Sequence, residues 1–244
     1  MQGDKSLKIA INTRSLLKDK LDGIGWFTYH ILKNWVENHP QHHFYFLFDR
    51  PYDERFIFGK NVTSIVVSPP ARHPLLWYIW YEWAIPRVLN QINPDVFISL
   101  DTYSSIRCKG RKITSIHDIA FALFDGHVDR LTQKFLRHYT PKYIETSEKI
   151  ITVSHTTKRD LIEVYHCPEN KIIVSNNAPT EVYKPMADKD IVDFKSSHTE
   201  GNDYFIFVGS IQPRKNVLTL LQAFEHFKFT HKTSHKLVLI GRMS

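Results

Sequence analysis

Three short segments of this 244-residue chain carry side chains suited to chemistry. His117-Asp118 closes the run Lys112-Ile113-Thr114-Ser115-Ile116. An imidazole at such a place can donate to a hydroxyl or meet a developing charge, and a neighbouring carboxylate can fix its tautomer. The second segment, Val208-Gly209-Ser210-Ile211-Gln212-Pro213-Arg214-Lys215-Asn216, ends a strand-like run in glycine and sets two cations just before a helical stretch. The free N–H groups and positive dipole end of a helix start favour anions. Arg214 and Lys215 beside Gly209 then make a site for a diphosphate. The third is Asp22-Gly23-Ile24-Gly25-Trp26, ahead of the first long helical stretch, where glycines let backbone approach a ligand closely. It is not a dinucleotide fingerprint, because Thr28 stands where a third glycine belongs. Each segment also has a plainer reading: a histidine satisfied by backbone, a solvated basic pair, a flexible loop. A fourth feature, the stripe Trp77, Tyr78, Trp80, Tyr81 and Trp83, could seat a membrane interface or an acceptor sugar. Its residues cover most of a helix circumference, so packing is the preferred reading.

The elements that must position these groups alternate regularly. Strand-like runs fall at 8–12, 44–49, 62–68, 95–100, 112–117, 149–154 and 171–176, and several are almost continuously apolar, as in parallel strands covered on both faces. Helix-like stretches lie between them at 25–37, 75–91, 130–147 and 156–165; in the first, Phe27, Ile31, Leu32 and Trp35 recur at helical spacing. Ser154 stands where an N-cap belongs. The alternation predicts a doubly wound α/β sheet, and ligands of such sheets bind outside the carboxyl ends of the strands, where His117 falls. Residues 178–203 carry prolines and charges without an apolar period, which suits a linker with one short helix. A new unit follows: strand 204–208, turn 209–215, helix 217–229 capped by Asn216, strand 236–240. A strand–helix–strand of about 40 residues is near the lower limit for burying its own core, and its parallel strands expose open edges. The expectation is that more βα units belong there and are absent.

Composition bounds the class. Apolar residues make up 42% and charged residues 23%, as in an ordinary globular protein. The start has no apolar signal-peptide core, and the greasiest stretch, 74–86, contains Glu82 and is shorter than the ~20 residues that span a bilayer. Two distant cysteines, Cys108 and Cys167, lack metal-ligand spacing and suit a reducing cytoplasm. The net charge of +7 is scattered among acids, with no nucleic-acid motif, so nucleic acid is not an expected partner.

Taken in order, the segments resemble the retaining family 4 glycosyltransferases, whose GT-B fold pairs two Rossmann-like domains. The likeness is carried by Gly23-Ile24-Gly25-Trp26, His117-Asp118 and Ile151-Thr152-Val153-Ser154-His155-Thr156-Thr157-Lys158-Arg159-Asp160-Leu161. It continues through Pro168-Glu169-Asn170-Lys171-Ile172, then Phe207-Val208-Gly209 to Pro213-Arg214-Lys215-Asn216, with Ala223-Phe224 behind. The resemblance implies a complete acceptor-side Rossmann-like domain over 1–177, a linker over 178–203, and over 204–244 an incomplete donor-side domain holding only its first βαβ unit. It implies a hexosyltransferase acting on a polysaccharide or lipid-linked glycan, similar to mannosyltransferases, with GDP-mannose as a candidate donor and retention of anomeric configuration. His117 and Asp118 would be the catalytic pair, Gly209, Arg214 and Lys215 would hold the donor diphosphate, and Gly23 and Gly25 would shape the cleft loop. No metal and no cofactor beyond the nucleotide sugar is implied. The location implied is cytoplasmic, with a peripheral contact at the inner membrane. One departure matters: two glutamates eight positions apart, which hold donor sugar and ribose in the family, occur nowhere in this chain, and the usual Asn-Gly before the linker reads Asn176-Asn177-Ala178. The chain alone is therefore expected to have little or no transferase activity. The alternative is a non-catalytic truncated or split-gene product that binds a glycan acceptor or a partner chain.

Overall fold

The computed structural model describes residues 6–126, 128–180 and 182–242. The chain forms two compact units, Met1–Asn177 and Ala178–Ser244. In the first, β1 (Lys8–Asn12), β2 (His43–Phe48), β3 (Val62–Val66), β4 (Val96–Ser99), β5 (Lys112–Ser115), β6 (Lys149–Thr152) and β7 (Ile172–Val174) make one parallel sheet in the order β3-β2-β1-β4-β5-β6-β7. The chain winds outward from β1 to β3, crosses back to lie beside β1 as β4, and winds the other way to β7. The order therefore reverses between β1 and β4, and the crevice at their carboxyl ends is where open sheets of this kind take ligands.

Apolar clusters cover both faces. On one, Ile9, Ile11, Phe44, Phe46 and Ile98 meet Leu32 and Val36 of α1 (Gly23–Asn38). On the other, Ala10, Leu47 and Phe97 meet Trp80, Tyr81, Ile85 and Leu89. A third cluster joins Ile116, Ile150 and Ile172 to Leu136 and Ile144 of α5 (Arg130–Thr146) and Leu161 of α6 (His155–Tyr165). Burial on both faces explains why the central strands read as nearly unbroken apolar runs. Two helix starts follow sequence signals: Asp22 accepts from the Gly25 N–H at 2.8 Å, and Ser154 accepts from the Thr157 N–H at 3.1 Å.

The stretch expected as a single helix over 75–91 is broken. It runs as α2 (Pro74–Ile79), a π-helical turn (Trp80–Ala84) and α3 (Ile85–Ile92). Pro86 has no N–H to donate to the preceding turn, and just before it the Ile85 N–H reaches back five residues to Trp80. The extra residue per turn lets three consecutive side chains, Trp80, Tyr81 and Glu82, all be buried, which a regular helix with one buried stripe does not allow. The aromatic stripe is thus largely core, while Trp83 stays half exposed under the Arg107 guanidinium at 3.9 Å. One short helix not expected from sequence, α4 (Ala120–Leu123), follows β5.

In the second unit α7 (Asp188–Thr199), longer than the short helix expected there, precedes β8 (Tyr204–Val208), α8 (Val217–His231) and β9 (Lys236–Ile240). The two strands pair in parallel from Tyr204↔Lys236 to Val208↔Ile240. Phe205 meets Phe227 of α8 at 5.4 Å, while Tyr204, on the other face, meets Phe194 of α7 at 5.2 Å. Among the described residues of this unit only Thr199 and Val217 are buried. No described helix is long and apolar enough to cross a membrane.

Candidate functional site

At the β1/β4 reversal the sheet ends in a polar row. The register pairs Asn12 with Ser99 and Ser99 with Thr114, so these three side chains share one face at the carboxyl ends of β1, β4 and β5. The Asn12 amide donates to the Tyr81 hydroxyl at 3.0 Å, the Ser99 hydroxyl at 2.8 Å and Asp101 Oδ1 at 2.9 Å. One step further, Arg14 donates to Asp101 Oδ2 at 3.1 Å and to the Ala71 carbonyl at 3.3 Å, with its guanidinium 4.5 Å from the Tyr103 ring. Burial works against the Arg14 charge, but Tyr81, Asp101 and Tyr103 outweigh it and hold its proton more firmly than usual. Burial also pushes the Tyr103 phenol up to about 12 and the Tyr81 phenol well above its ordinary value. Three buried polar atoms at this edge have no partner: Thr13 Oγ1, Arg14 Nε and Ser115 Oγ. A buried polar atom left unpaired costs about 1–3 kcal/mol; Thr13 and Ser115 follow the α1 face of the sheet, and Arg14 lies on the Tyr81 face.

His117 stands two residues beyond β5. Its Nε2 lies 2.8 Å from the Leu100 carbonyl, its ring meets Phe27 of α1 edge-on at 4.8 Å, and its own carbonyl accepts from the Thr157 hydroxyl at 3.0 Å. The imidazole is thus fixed by the end of β4 and by α1, and the backbone that carries it by α6. Contrary to the reading from sequence, Asp118 does not set its tautomer. The Asp118 carboxylate instead accepts from the Ala120 N–H at 3.0 Å, at the start of α4, and is exposed.

Phe27 ties the glycine segment to the same neighbourhood, and the two glycines differ. Gly25 is buried, and a Cβ there would come within 2.9 Å of the Ser15 carbonyl and 3.0 Å of the Leu21 side chain. Gly23 is exposed with open space around it. Gly25 is thus needed for the loop from β1 to fold against the start of α1, and Gly23 is not.

Gly209, Arg214 and Lys215 belong to the second unit. Gly209 follows β8, and its N–H donates to Ile240 at 2.9 Å; opposite it, any Cβ at Gly241 would collide with the Gly209 carbonyl. Pro213–Lys215 form a single 3-10 turn. The Arg214 side chain lies outside the described residues; Lys215 is exposed and has no ion-pair partner among them. Asn216 occupies the N-cap position of α8 but with φ 49° and ψ 42°, and its side chain accepts from the Thr219 hydroxyl at 2.8 Å instead of from a backbone N–H. The capping role expected of it is not made.

Sequence reasoning missed Asn12, Arg14, Asp101 and Tyr103. The positional rule that selected His117 applies equally to Asn12-Thr13-Arg14 and Ser99-Leu100-Asp101, polar residues directly after apolar strands; what it lacked was the strand order. It also missed the buried pair behind this edge. The Glu82 carboxylate accepts from the Ile106 and Arg107 N–H groups, both at 3.1 Å, and Lys112 donates to the Ser105 carbonyl and, at 2.6 Å, to the Thr146 hydroxyl. Burial pushes Glu82 up and pulls Lys112 down to about 8. Among the described residues no three His, Cys, Asp or Glu side chains gather as metal ligands do.

Comparison with known proteins bears on what this edge serves. The profile of Glycosyltransferase Family 4 matches residues 21–178. The O-antigen chain mannosyltransferase RfbU of Salmonella typhimurium is 24% identical over 163 residues, 66% of this chain and 42% of that protein. O-antigen chain mannosyltransferase B of Escherichia coli is 21% identical over 132 residues, 54% of this chain and 35% of that protein. The chain therefore spans less than half the length of either. Among solved structures, Anabaena Alr3699/HepE in complex with UDP and glucose superposes with a TM-score of 0.67 at 14% identity, covering 98% of this chain and 62% of that one. That likeness establishes the GT-B type of fold.

Proposed function

The chain belongs to Glycosyltransferase Family 4, and on that premise we propose that it supplies the acceptor side of a hexosyltransferase. The reaction moves mannose from GDP-mannose to a growing polysaccharide or lipid-linked glycan, with retention of configuration. The observation that carries this reading is the polar edge at the β1/β4 reversal, with His117 held at its margin by the Leu100 carbonyl. The mannosyltransferase names of the two O-antigen relatives support the sugar, and the complex of the Anabaena protein with UDP and glucose supports a nucleotide-sugar donor.

In this reading the acceptor hydroxyl attacks the anomeric carbon on the face from which the diphosphate departs. The carbon–oxygen bond to phosphate breaks as the new glycosidic bond forms, and the hydroxyl proton passes to the leaving phosphate oxygen. Positive charge at the turn from Gly209 through Arg214 and Lys215, with the start of α8, stabilises that leaving group. His117 orients the transferred sugar, Asp118 supports the loop behind it, and Gly25 shapes the wall by which α1 approaches. A lipid-linked acceptor places the protein in the cytoplasm at the inner membrane face. The second reading is a non-catalytic chain that binds glycan or a partner.

The two readings separate in a transfer assay with labelled GDP-mannose, UDP-glucose and a lipid-linked oligosaccharide. The enzymes compared are this chain and a chimera joining its residues 1–203 to the donor-side half of E. coli O-antigen chain mannosyltransferase B. Transfer by the chimera, with the chain alone at background, is expected. A folded, nucleotide-binding chimera without transfer to any acceptor contradicts the acceptor-side assignment.

A further inference from the structure

Arg14 is held as a fixed donor fork. A guanidinium has five N–H donors; here one goes to Asp101 and one to Ala71, and the plane lies against Tyr103. The Nε donor is buried without a partner, and the side chain keeps 16% of its surface exposed. Asp101, 4% exposed, has both oxygens engaged, accepting from Arg14, Asn12, Ser99 and the Tyr103 N–H. It balances the guanidinium charge and would repel a phosphate brought to the same edge. What remains is a set of rigid N–H donors suited to neutral oxygens.

We propose that Arg14 is an acceptor-binding residue that recognises the hydroxyls of a neutral hexopyranoside at the β1/β4 reversal, with Asp101 as the residue that positions it. This rests on the glycosyltransferase reading and adds a residue and a ligand class to it. The lipid diphosphate of a carrier is not its ligand.

The full chain is titrated by NMR with methyl α-D-mannoside, methyl α-D-galactoside and N-acetylglucosamine, and with inorganic diphosphate as an anion control. At least one sugar is expected to bind with millimolar affinity. Binding should weaken tenfold or more in Arg14→Lys, which keeps the charge but loses the fork. It should weaken equally in Arg14→Met/Asp101→Asn, which removes both buried charges together, while any diphosphate binding stays unchanged. No sugar binding by the unaltered chain, or affinity within twofold in the folded variants, overturns the proposal. If both variants fail to fold, the unaltered chain decides: the Arg14 Nε–H resonance shifts at saturating sugar, and an unmoved resonance overturns it. Hexose transfer by the chimera alongside a negative result here removes Arg14 from the acceptor site and leaves the glycosyltransferase reading standing.

Discussion

Leu100 offers His117 a carbonyl oxygen at 2.8 Å, and a carbonyl can only accept. Nε2 therefore carries the proton, and in the neutral ring Nδ1 is left as an acceptor, which the proposed function gives to a sugar hydroxyl. The glycines of the α1 start show how differently two residues of one motif are used. Gly25→Ala places a methyl 2.9 Å from the Ser15 carbonyl, and overpacking of this kind costs about 1–3 kcal/mol. Thermal denaturation should show a drop of several degrees, since each kcal/mol is worth about 2–4 °C at this size. Gly23→Ala meets nothing and should stay within about 0.5 kcal/mol of wild type. Equal melting temperatures for the two variants would refute this assignment.

The π-helical turn is the element that sequence periodicity could least supply. Pro86 announces an interruption, but nothing in the pattern says whether a kink, a break or an added residue answers it. The outcome decides that Glu82 points inward, to hold the loop after β4 by the N–H groups of Ile106 and Arg107. Helices α1, α5, α6 and α8 were legible from their apolar spacing and the strands from the alternation, whereas α7 lacks an apolar period and the four residues of α4 hold too few positions to show one. Behind the same loop, burial lowers Lys112 from 10.5 to about 8. Between these values the unfolded chain binds a proton that the folded chain has released, so this group makes stability rise with pH from about 8 toward 10.5. Cys108, which burial pushes up to about 11, acts in the opposite sense over a similar range. The comparison must therefore be differential. From pH 7.5 to 10, urea-derived stability should climb relative to Lys112→Met, and a constant difference between the two proteins would show that Lys112 does not titrate there.

At the scale of the whole molecule the two units differ in how much they bury. In the second, Phe205, Val208 and Phe229 stand 50%, 70% and 83% exposed, and the core of the first has no counterpart. Small units with little buried area are marginal, so amides of β8 and β9 should exchange hydrogen well before those of β1 and β4. Limited proteolysis should likewise cut within 178–203 and leave a resistant fragment ending near Asn177. A single cooperative transition with equal protection of both units would contradict this. The doubly wound sheet and the place of His117 were readable from alternation alone. The reversal between β1 and β4 was not, because strand order is a long-range property, and with it went Arg14 and Asp101. Under the proposed function, sugar transfer takes place at this edge, with His117 touching the moving hexose. The most direct measurement is the rate of hexose transfer by the chimera carrying His117→Ala. Loss of one preorganised contact to the reacting sugar predicts a kcat lower by about 10²–10³-fold, with nucleotide affinity unchanged; a rate equal to that of the unaltered chimera would contradict the claim.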